Sequence, residues 1–162
     1  VRPRTKFVCV GDGRSEYRVA LQERARALGL SNRMLWVGMR SDVADVYPAL
    51  DLLVNCSYGE GFSNVIAEAM SCGIPCVVTD VGDSGLVIGE LGELVTTKDP
   101  VALNRGMQRL LDRKPAAAEI RRRIVEHFSL ENLILTTERR LLALCHQPVG
   151  KSISTHKNTS VL

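Results

Sequence analysis

The 162-residue sequence lacks several features that would indicate particular classes of protein. Its formal net charge is only +3, and because the basic residues are scattered, no strongly basic surface favours nucleic acid as a partner. Its five cysteines are an odd number without the paired framework of a secreted disulfide scaffold. It has no signal peptide and no apolar run long enough to span a bilayer. We expect a cytoplasmic protein, associated with a membrane surface only through the rest of a longer protein.

The sequence also lacks a metal-binding pattern. Cys72 and Cys76 are four residues apart, but no second pair of Cys or His completes a zinc site. The histidines occur late in the chain and follow neither metal nor catalytic spacing; they are His127, His146 and His156. We therefore predict that the protein binds no metal.

Apolar runs and helical periodicity alternate along the chain. Strands are predicted over residues 6–10, 34–37, 52–54, 76–79 and 93–95. Helices are predicted over residues 15–28, 42–50, 63–72, 99–113, 116–127 and 130–145, the third ended by Gly73 and the second capped by Ser41 or Asp42. This alternation predicts an α/β fold with a parallel sheet covered by helices on both faces. The final stretch, residues 147–162, is polar, and we expect it to be disordered.

Glycine and polar residues concentrate in the loops that directly follow predicted strands. These loops span residues 11–13, 38–41, 55–61 and 80–84. Because ligands of open α/β sheets bind beyond the carboxyl ends of the strands, we expect all four loops to lie at one binding edge. Gly11, Gly13 and Arg40 are therefore candidate binding residues.

The helix predicted over residues 63–72 has two features suited to ligands. Gly61 allows close backbone approach before the helix, and the free N–H groups and positive dipole end of the first turn suit a phosphate. At about 100° per residue, Val65, Ile66, Ala69, Met70 and Gly73 share the face expected to pack on the sheet. Asn64 and Glu68 are four residues apart and share a neighbouring stripe. A carboxylate there could accept two hydrogen bonds from a diol, although spacing alone is equally compatible with Glu60 and Glu68 being solvated surface carboxylates.

Residues 60–82, EGFSNVIAEAMSCGIPCVVTDVG, resemble the signature of the group 1 retaining glycosyltransferases, which use nucleotide-sugar donors. That signature has two glutamates separated by seven residues, here Glu60 and Glu68. The similarity extends over about residues 4–145 and includes Gly11, Gly13 and the step into the last helix at Ser129. It is much more specific than a lone pair of glycines.

The resemblance implies a protein with two Rossmann-like domains facing each other across a cleft, the GT-B fold. This chain resembles the C-terminal, nucleotide-sugar-binding domain, over residues 1–146. Glu68 would hold the donor ribose, Glu60 would contact the transferred sugar as the catalytic residue, and Arg40 would lie near the base. The backbone of the next four residues would contact the diphosphate or sugar hydroxyls; they are Gly61, Phe62, Ser63 and Asn64. The family transfers sugar with retention, and we expect neither a metal nor a cofactor beyond the donor.

The sequence departs from this family in two respects. Residues 1–162 include no counterpart of the N-terminal acceptor domain that the family implies. They also include no counterpart of the first strand-helix unit of the nucleotide-binding domain, whose strand is central in the family's sheet. The strands at 6–10 and 52–54 should therefore lose a shared neighbour and expose unpaired backbone groups. Since the chain has no initiator Met and begins a strand almost at once, we expect it to be part of a longer protein and inactive alone.

Three other functions are compatible with parts of the sequence. A two-domain nucleotide-sugar epimerase would share the architecture, and a non-catalytic nucleotide-binding or interaction module would suit a chain without the acceptor domain. A dinucleotide-binding domain is the weakest alternative, because Gly11-x-Gly13 is followed by Glu16 where a third glycine belongs. The base, sugar and acceptor are not determined by the sequence.

Overall fold

The structure of this chain is a computed structural model that describes residues 4–145. The predicted disordered tail, residues 147–162, lies outside the described residues.

Strands and helices alternate as the sequence predicts. The strands are β1 (Phe7–Val10), β2 (Met34–Gly38), β3 (Leu53–Asn55), β4 (Cys76–Thr79) and β5 (Glu93–Val95). The helices are α1 (Ser15–Ala27), α2 (Val43–Val46), α3 (Asn64–Ser71), α4 (Ser84–Ile88), α5 (Pro100–Arg113), α6 (Ala117–Phe128) and α7 (Leu130–Cys145). Two short 3-10 helices, Tyr47–Ala49 and Gly89–Leu91, follow α2 and α4.

Every strand pair is parallel, but the strands form two sheets rather than one. β1 pairs with β2, with Phe7 opposite Met34. β4 lies between β3 and β5, with Leu53 opposite Cys76. Within residues 4–145 no strand bridges β1 and β3. This interruption agrees with the prediction that the strands at 6–10 and 52–54 lack a shared neighbour.

The core surrounds β4, whose four residues are all buried. Because side chains alternate across a strand, Cys76 and Val78 face one cluster and Val77 faces the other. The first cluster is contributed mainly by α3, α4 and α6, and it includes Ile66, Met70, Val87, Ile88, Ile120 and Ile124. The second comes from α5 and β5, and it comprises Val95 and Leu110 with Val77. Helices therefore cover both faces of β4, which confirms the predicted α/β class.

One residue expected on the buried face of α3 lies outside it. Ile66, Ala69, Met70 and Gly73 are buried, but Val65 is 46% exposed. At about 100° per residue, Val65 lies about 90° from the centre of the stripe formed by the other four. The buried stripe of α3 is thus narrower than predicted, and Val65 lies at its solvent margin.

The last helix, α7, has no buried residue. Its large apolar side chains are exposed, including Leu130, Leu133, Ile134, Leu141 and Leu144. Among residues 4–145 no helix is both long and apolar enough to cross a membrane.

Candidate functional site

The loop between β3 and α3 is closed by the side chain of Asn55, the last residue of β3. Its Oδ1 accepts a hydrogen bond from the backbone N–H of Ser57, at 3.2 Å, and lies 2.8 Å from the Ser57 hydroxyl oxygen. Its Nδ2 donates to Ser63 Oγ, at 2.9 Å. One amide side chain therefore ties the end of a strand to both ends of the loop that carries Glu60.

Glu60 is held in this network as a carboxylate. The Ser57 hydroxyl, which is also within reach of Asn55, hydrogen-bonds Glu60 Oε1. Hydrogen bonding from Ser57, and next from Ser63, holds the pKa of Glu60 below its ordinary value, against the smaller opposing effect of burial. Glu60 is consequently ionised at neutral pH and is suited to accepting hydrogen bonds or stabilising positive charge.

Two further hydrogen bonds attach this loop to β4 and to the segment that follows it. The buried hydroxyl of Thr79 donates to the Ser57 carbonyl, at 2.7 Å. The backbone N–H of Asp83 donates to the Gly61 carbonyl, at 2.9 Å. Because β4 is the most buried strand of the fold, these bonds fix the loop relative to a rigid element.

The start of α3 leaves its first amide groups without a capping side chain. Ser63, at the N-cap position, has an extended backbone, and its side chain makes no capping hydrogen bond. It is instead engaged with Asn55. Gly61, Phe62 and Asn64 beside it are exposed. The first turn of α3 therefore presents N–H groups and a positive dipole end toward an open surface.

Phe62 reaches from the loop to the junction between α6 and α7. Its ring centroid lies 5.9 Å from that of Phe128, the last residue of α6, in a tilted arrangement. The Phe62 side chain is nevertheless 45% exposed. The loop is thus supported by the core on one side while its backbone remains accessible.

Glu68 lies one turn along α3 from Asn64, and both residues are exposed, as the four-residue spacing predicts. The hydroxyl of Tyr47 donates to Glu68 Oε2, at 2.8 Å. Among residues 4–145, Glu68 Oε1 has no hydrogen-bond partner, so it can accept hydrogen bonds from a ligand.

Arg40 lies in the loop that follows β2, and its guanidinium is occupied by Asp42. Arg40 Nε donates to Asp42 Oδ1 at 2.8 Å, and Nη2 contacts Oδ2. The hydrogen bond from Arg40 lowers the pKa of Asp42. The prediction that Asp42 caps α2 is wrong, because its carboxylate binds Arg40 and makes no capping hydrogen bond to α2.

Gly11 and Gly13 form the turn that follows β1. Gly11 has φ of +115°, which favours glycine, and its N–H donates to the Gly38 carbonyl at 2.8 Å. The Asp12 carboxylate accepts from the Gly13 N–H at 2.9 Å and pairs with Arg18 at 3.0 Å. The turn is therefore closed by its own side chains and by the neighbouring β2.

The predicted site residues fall into two groups. One surrounds the start of α3 and contains Glu60, Gly61, Phe62, Ser63, Asn64 and Glu68. The other follows the β1–β2 sheet and contains Gly11, Gly13 and Arg40. Over the described part of the chain, no hydrogen bond or ion pair joins the two groups. The binding roles of both groups stay predictions.

Four site residues were missed from the sequence. Asn55, Ser57 and Thr79 orient the Glu60 loop, and their position directly after or at the end of strands was the available signal. Tyr47 was also missed, although it lies four residues after Val43 and three before Leu50. This spacing places all three on one face of a helix, where burial is expected. A buried tyrosine hydroxyl normally has a hydrogen-bond partner, and this tendency was the available signal.

Metal ligands do not gather at this site. Among the residues that the structure describes, no three His, Cys, Asp or Glu side chains are grouped so that they could hold a metal ion. Metal independence of the reaction stays a prediction.

The family model described as "Glycosyl transferases group 1" matches residues 1–113 of the chain. The lipopolysaccharide core biosynthesis mannosyltransferase LpsB of Rhizobium meliloti (strain 1021) is 34% identical over 131 residues, which are 78% of this chain and 37% of LpsB. The UDP-Gal:alpha-D-GlcNAc-diphosphoundecaprenol alpha-1,3-galactosyltransferase of Escherichia coli is 31% identical over 133 residues, which are 79% of this chain and 34% of that enzyme.

Solved structures show the same similarity in three dimensions. The crystal structure of Anabaena Alr3699/HepE in complex with UDP superposes with a TM-score of 0.78 at 26% identity, covering 88% of this chain and 42% of HepE. The chain thus spans about two fifths of the length of these relatives. The extent of the family match establishes the family: the chain belongs to the group 1 glycosyltransferases.

Proposed function

We propose that this chain is the donor-binding part of a retaining glycosyltransferase that transfers a sugar from a nucleoside diphosphate to an acceptor. The observation that carries the proposal is the arrangement around α3. An ionised carboxylate, an uncapped helix start and a second, outward-facing carboxylate follow one another within nine residues, from Glu60 to Glu68. A nucleotide sugar offers hydroxyls, a diphosphate and a ribose diol in a matching succession.

Each group at the start of α3 has a distinct role in this proposal. The backbone N–H groups of Gly61, Phe62, Ser63 and Asn64 bind the diphosphate or sugar hydroxyls. The positive end of the α3 dipole stabilises the negative charge that develops on the diphosphate as the sugar leaves. Glu68 accepts hydrogen bonds from the ribose hydroxyls.

Glu60 is the proposed catalytic residue. During transfer the bond between the anomeric carbon and the diphosphate oxygen breaks, and a bond from the acceptor oxygen to the same carbon forms on the same face. The proton of the acceptor hydroxyl passes to the departing diphosphate. The lowered pKa of Glu60 suits it to accept hydrogen bonds from the sugar hydroxyls and to stabilise positive charge on the sugar, not to donate a proton. Gly11, Gly13 and Arg40 contact the remainder of the donor, Arg40 near the base.

Relatives support the proposal through what they transfer or bind. LpsB is named as a mannosyltransferase and the Escherichia coli relative uses UDP-Gal, while HepE was crystallised with UDP. Since the chain spans about two fifths of these proteins, we propose that the acceptor site lies in a further domain.

The test measures sugar transfer by the full-length protein, with UDP-, GDP- and ADP-sugars as donors. Glu60→Gln should lower kcat by about a hundredfold or more, the order seen when an electrostatic stabiliser of a transition state is removed. Glu126→Gln, a matched change at an exposed glutamate on α6, should leave kcat unchanged. Full activity of Glu60→Gln would refute its catalytic role. Release of an epimerised sugar without glycoside formation would favour an epimerase instead.

A further inference from the structure

We propose that Tyr47 is a positioning residue that orients Glu68 toward the ribose hydroxyls of the donor. The inference rests on the proposed function, because it concerns how the diol-binding carboxylate is held. Its basis is the hydrogen bond from the Tyr47 hydroxyl to Glu68 Oε2, at 2.8 Å, which joins residues 21 positions apart. The two side chains come from different elements, so the bond depends on the tertiary fold.

Tyr47 is rigidly placed. It is 4% exposed and belongs to the main core cluster with Ile66 and Met70. It begins the 3-10 helix that contains Pro48, and its carbonyl accepts the N–H of Leu50 at 2.9 Å. Burial, and next the hydrogen bond to Glu68, raise the pKa of Tyr47 above its ordinary value. The hydroxyl is therefore protonated throughout the physiological range and is a permanent donor.

Glu68 requires such support. Its side chain is exposed on α3, and among residues 4–145 the Tyr47 hydroxyl is its hydrogen-bond partner. A solvated glutamate side chain would otherwise sample several rotamers, and a ligand would have to order it on binding. Tyr47 fixes Oε2 against the core and leaves Oε1 without a partner among residues 4–145, so that Oε1 is available before the ligand arrives.

The hydrogen bond from Tyr47 leaves acceptor positions on the Glu68 carboxylate unused. An ionised carboxylate has about four lone-pair positions, and Tyr47 uses one of those on Oε2. Oε1 remains for one ribose hydroxyl and the second position on Oε2 remains for the other. Because Tyr47 is 4% exposed and its hydroxyl is bonded to Glu68, we expect its effect on affinity to pass through Glu68.

The experiment measures the affinity of the full chain for UDP and for 2′,3′-dideoxy-UDP by titration calorimetry, with GDP and its dideoxy form as a second pair. In the unaltered chain UDP should bind more tightly than its dideoxy analogue. Tyr47→Phe keeps the ring in the core and removes the hydroxyl. It should raise the Kd for UDP by about threefold to tenfold, the range expected for ordering one long side chain on binding, and leave the Kd for dideoxy-UDP unchanged.

Three controls make the result specific. Glu68→Gln should reduce the discrimination between UDP and its dideoxy analogue, and adding Tyr47→Phe to it should have little further effect, because both changes act on one interaction. Tyr17→Phe, which removes a hydroxyl from an exposed ring on α1, should change neither affinity. Thermal denaturation of each variant reports whether the fold is intact.

Every other outcome overturns the proposal, and the pattern identifies the step that fails. If Glu68→Gln abolishes discrimination but Tyr47→Phe does not, Glu68 binds the diol without positioning by Tyr47. If Tyr47→Phe weakens both ligands equally, its role is general structural support. If the unaltered chain binds neither ligand or does not distinguish them, the diol contact of the proposed function fails and the role of Tyr47 fails with it.

Discussion

Gly82 lies directly against the backbone of Glu60. A Cβ atom at Gly82 would be 2.1 Å from the Glu60 carbonyl oxygen and 2.3 Å from that of Gly61. Gly82 also has φ of +50°, a conformation that L side chains rarely adopt. The two ends of the 60–82 segment thus meet in space, and the second end restrains the loop that carries the proposed catalytic carboxylate.

Gly82→Ala should destabilise the fold and displace Glu60. The methyl group would overlap two carbonyl oxygens at a positive φ, so we expect a loss of about 2 kcal/mol or more in the free energy of unfolding. Urea denaturation would measure this loss. The matched control is Gly59→Ala, because Gly59 has an open Cβ position and no positive φ. Equal stability of the two variants would show that the contact with Glu60 is not a constraint.

The lowered pKa of Glu60 predicts how its contribution to stability depends on pH. A carboxyl whose pKa is lower in the folded state stabilises the fold above its unfolded pKa, here 4.5, and this stabilisation is lost as pH falls through the folded value. Urea denaturation of the unaltered chain and of Glu60→Gln should therefore show a constant difference above about pH 6. Below pH 4.5 the free energy of unfolding of the unaltered chain should fall relative to that of Glu60→Gln. A difference independent of pH would contradict the hydrogen-bonded network around Glu60.

Ser57→Ala separates the main cause of that pKa shift from the presence of the carboxyl itself. Because the Ser57 hydroxyl is the largest contributor to the shift, its removal should move the pKa of Glu60 back toward 4.5. The ¹³C shift of the Glu60 carboxyl followed by NMR across pH would measure this directly. Ser71→Ala is the matched control, since the Ser71 hydroxyl donates to the Ala67 carbonyl at 2.8 Å and not to Glu60.

The elements near β4 could be predicted from sequence because their local signals agree with their burial. The apolar run of β4 begins after Pro75 and ends before Asp80, and it forms the buried strand expected. The helix α4 could not be predicted. It has five residues, it contains Gly85, and Gly89 follows it, so no helical period is visible.

Only the part of the site that belongs to a single element, α3, could be predicted from the sequence. Ser63 to Glu68 follow one another along the start of a single helix, and helical spacing places them. The contacts of Asn55 with Ser63 and of Tyr47 with Glu68 depend on how a loop folds back and how two elements pack. Residue spacing contains no information on the folding of the loop or on the packing of the two elements. It also did not show that the Asp42 carboxylate binds Arg40 and not the first N–H groups of α2.

Arg123 should contribute to stability by holding α4. Its guanidinium donates to the carbonyls of Val87, at 2.8 Å, and Leu86, at 2.5 Å. Arg123→Ala leaves these two carbonyls at the end of α4 without their charged donor. We expect a loss of about 1.5–3 kcal/mol, the range for hydrogen bonds to charged groups.

Arg122→Ala provides the comparison within the same helix. Arg122 is exposed, and its nearest ion-pair partner is Glu126 at 3.9 Å, a contact expected to contribute about 0.5 kcal/mol or less. Urea denaturation of both variants measures the difference. Arg123→Lys should not restore stability fully, because an ammonium cannot reproduce the planar pair of donors. Equal effects at positions 122 and 123 would show that Arg123 does not anchor α4.

The two aspartates placed before helices should differ in their contribution to stability. Asp99 Oδ1 accepts hydrogen bonds from the N–H groups of Val101, at 2.9 Å, and Ala102, at 2.8 Å, at the start of α5. Asp99→Ala should therefore cost about 1 kcal/mol, the typical loss for an N-cap. Asp42 precedes α2 but binds Arg40, so Asp42→Ala should cost less stability than Asp99→Ala, as expected for an exposed ion pair. The two variants differ from the unaltered chain by the same chemical change, and urea denaturation measures both. A larger loss at position 42 than at position 99 would mean that Asp42 caps α2 after all and that its pairing with Arg40 is secondary.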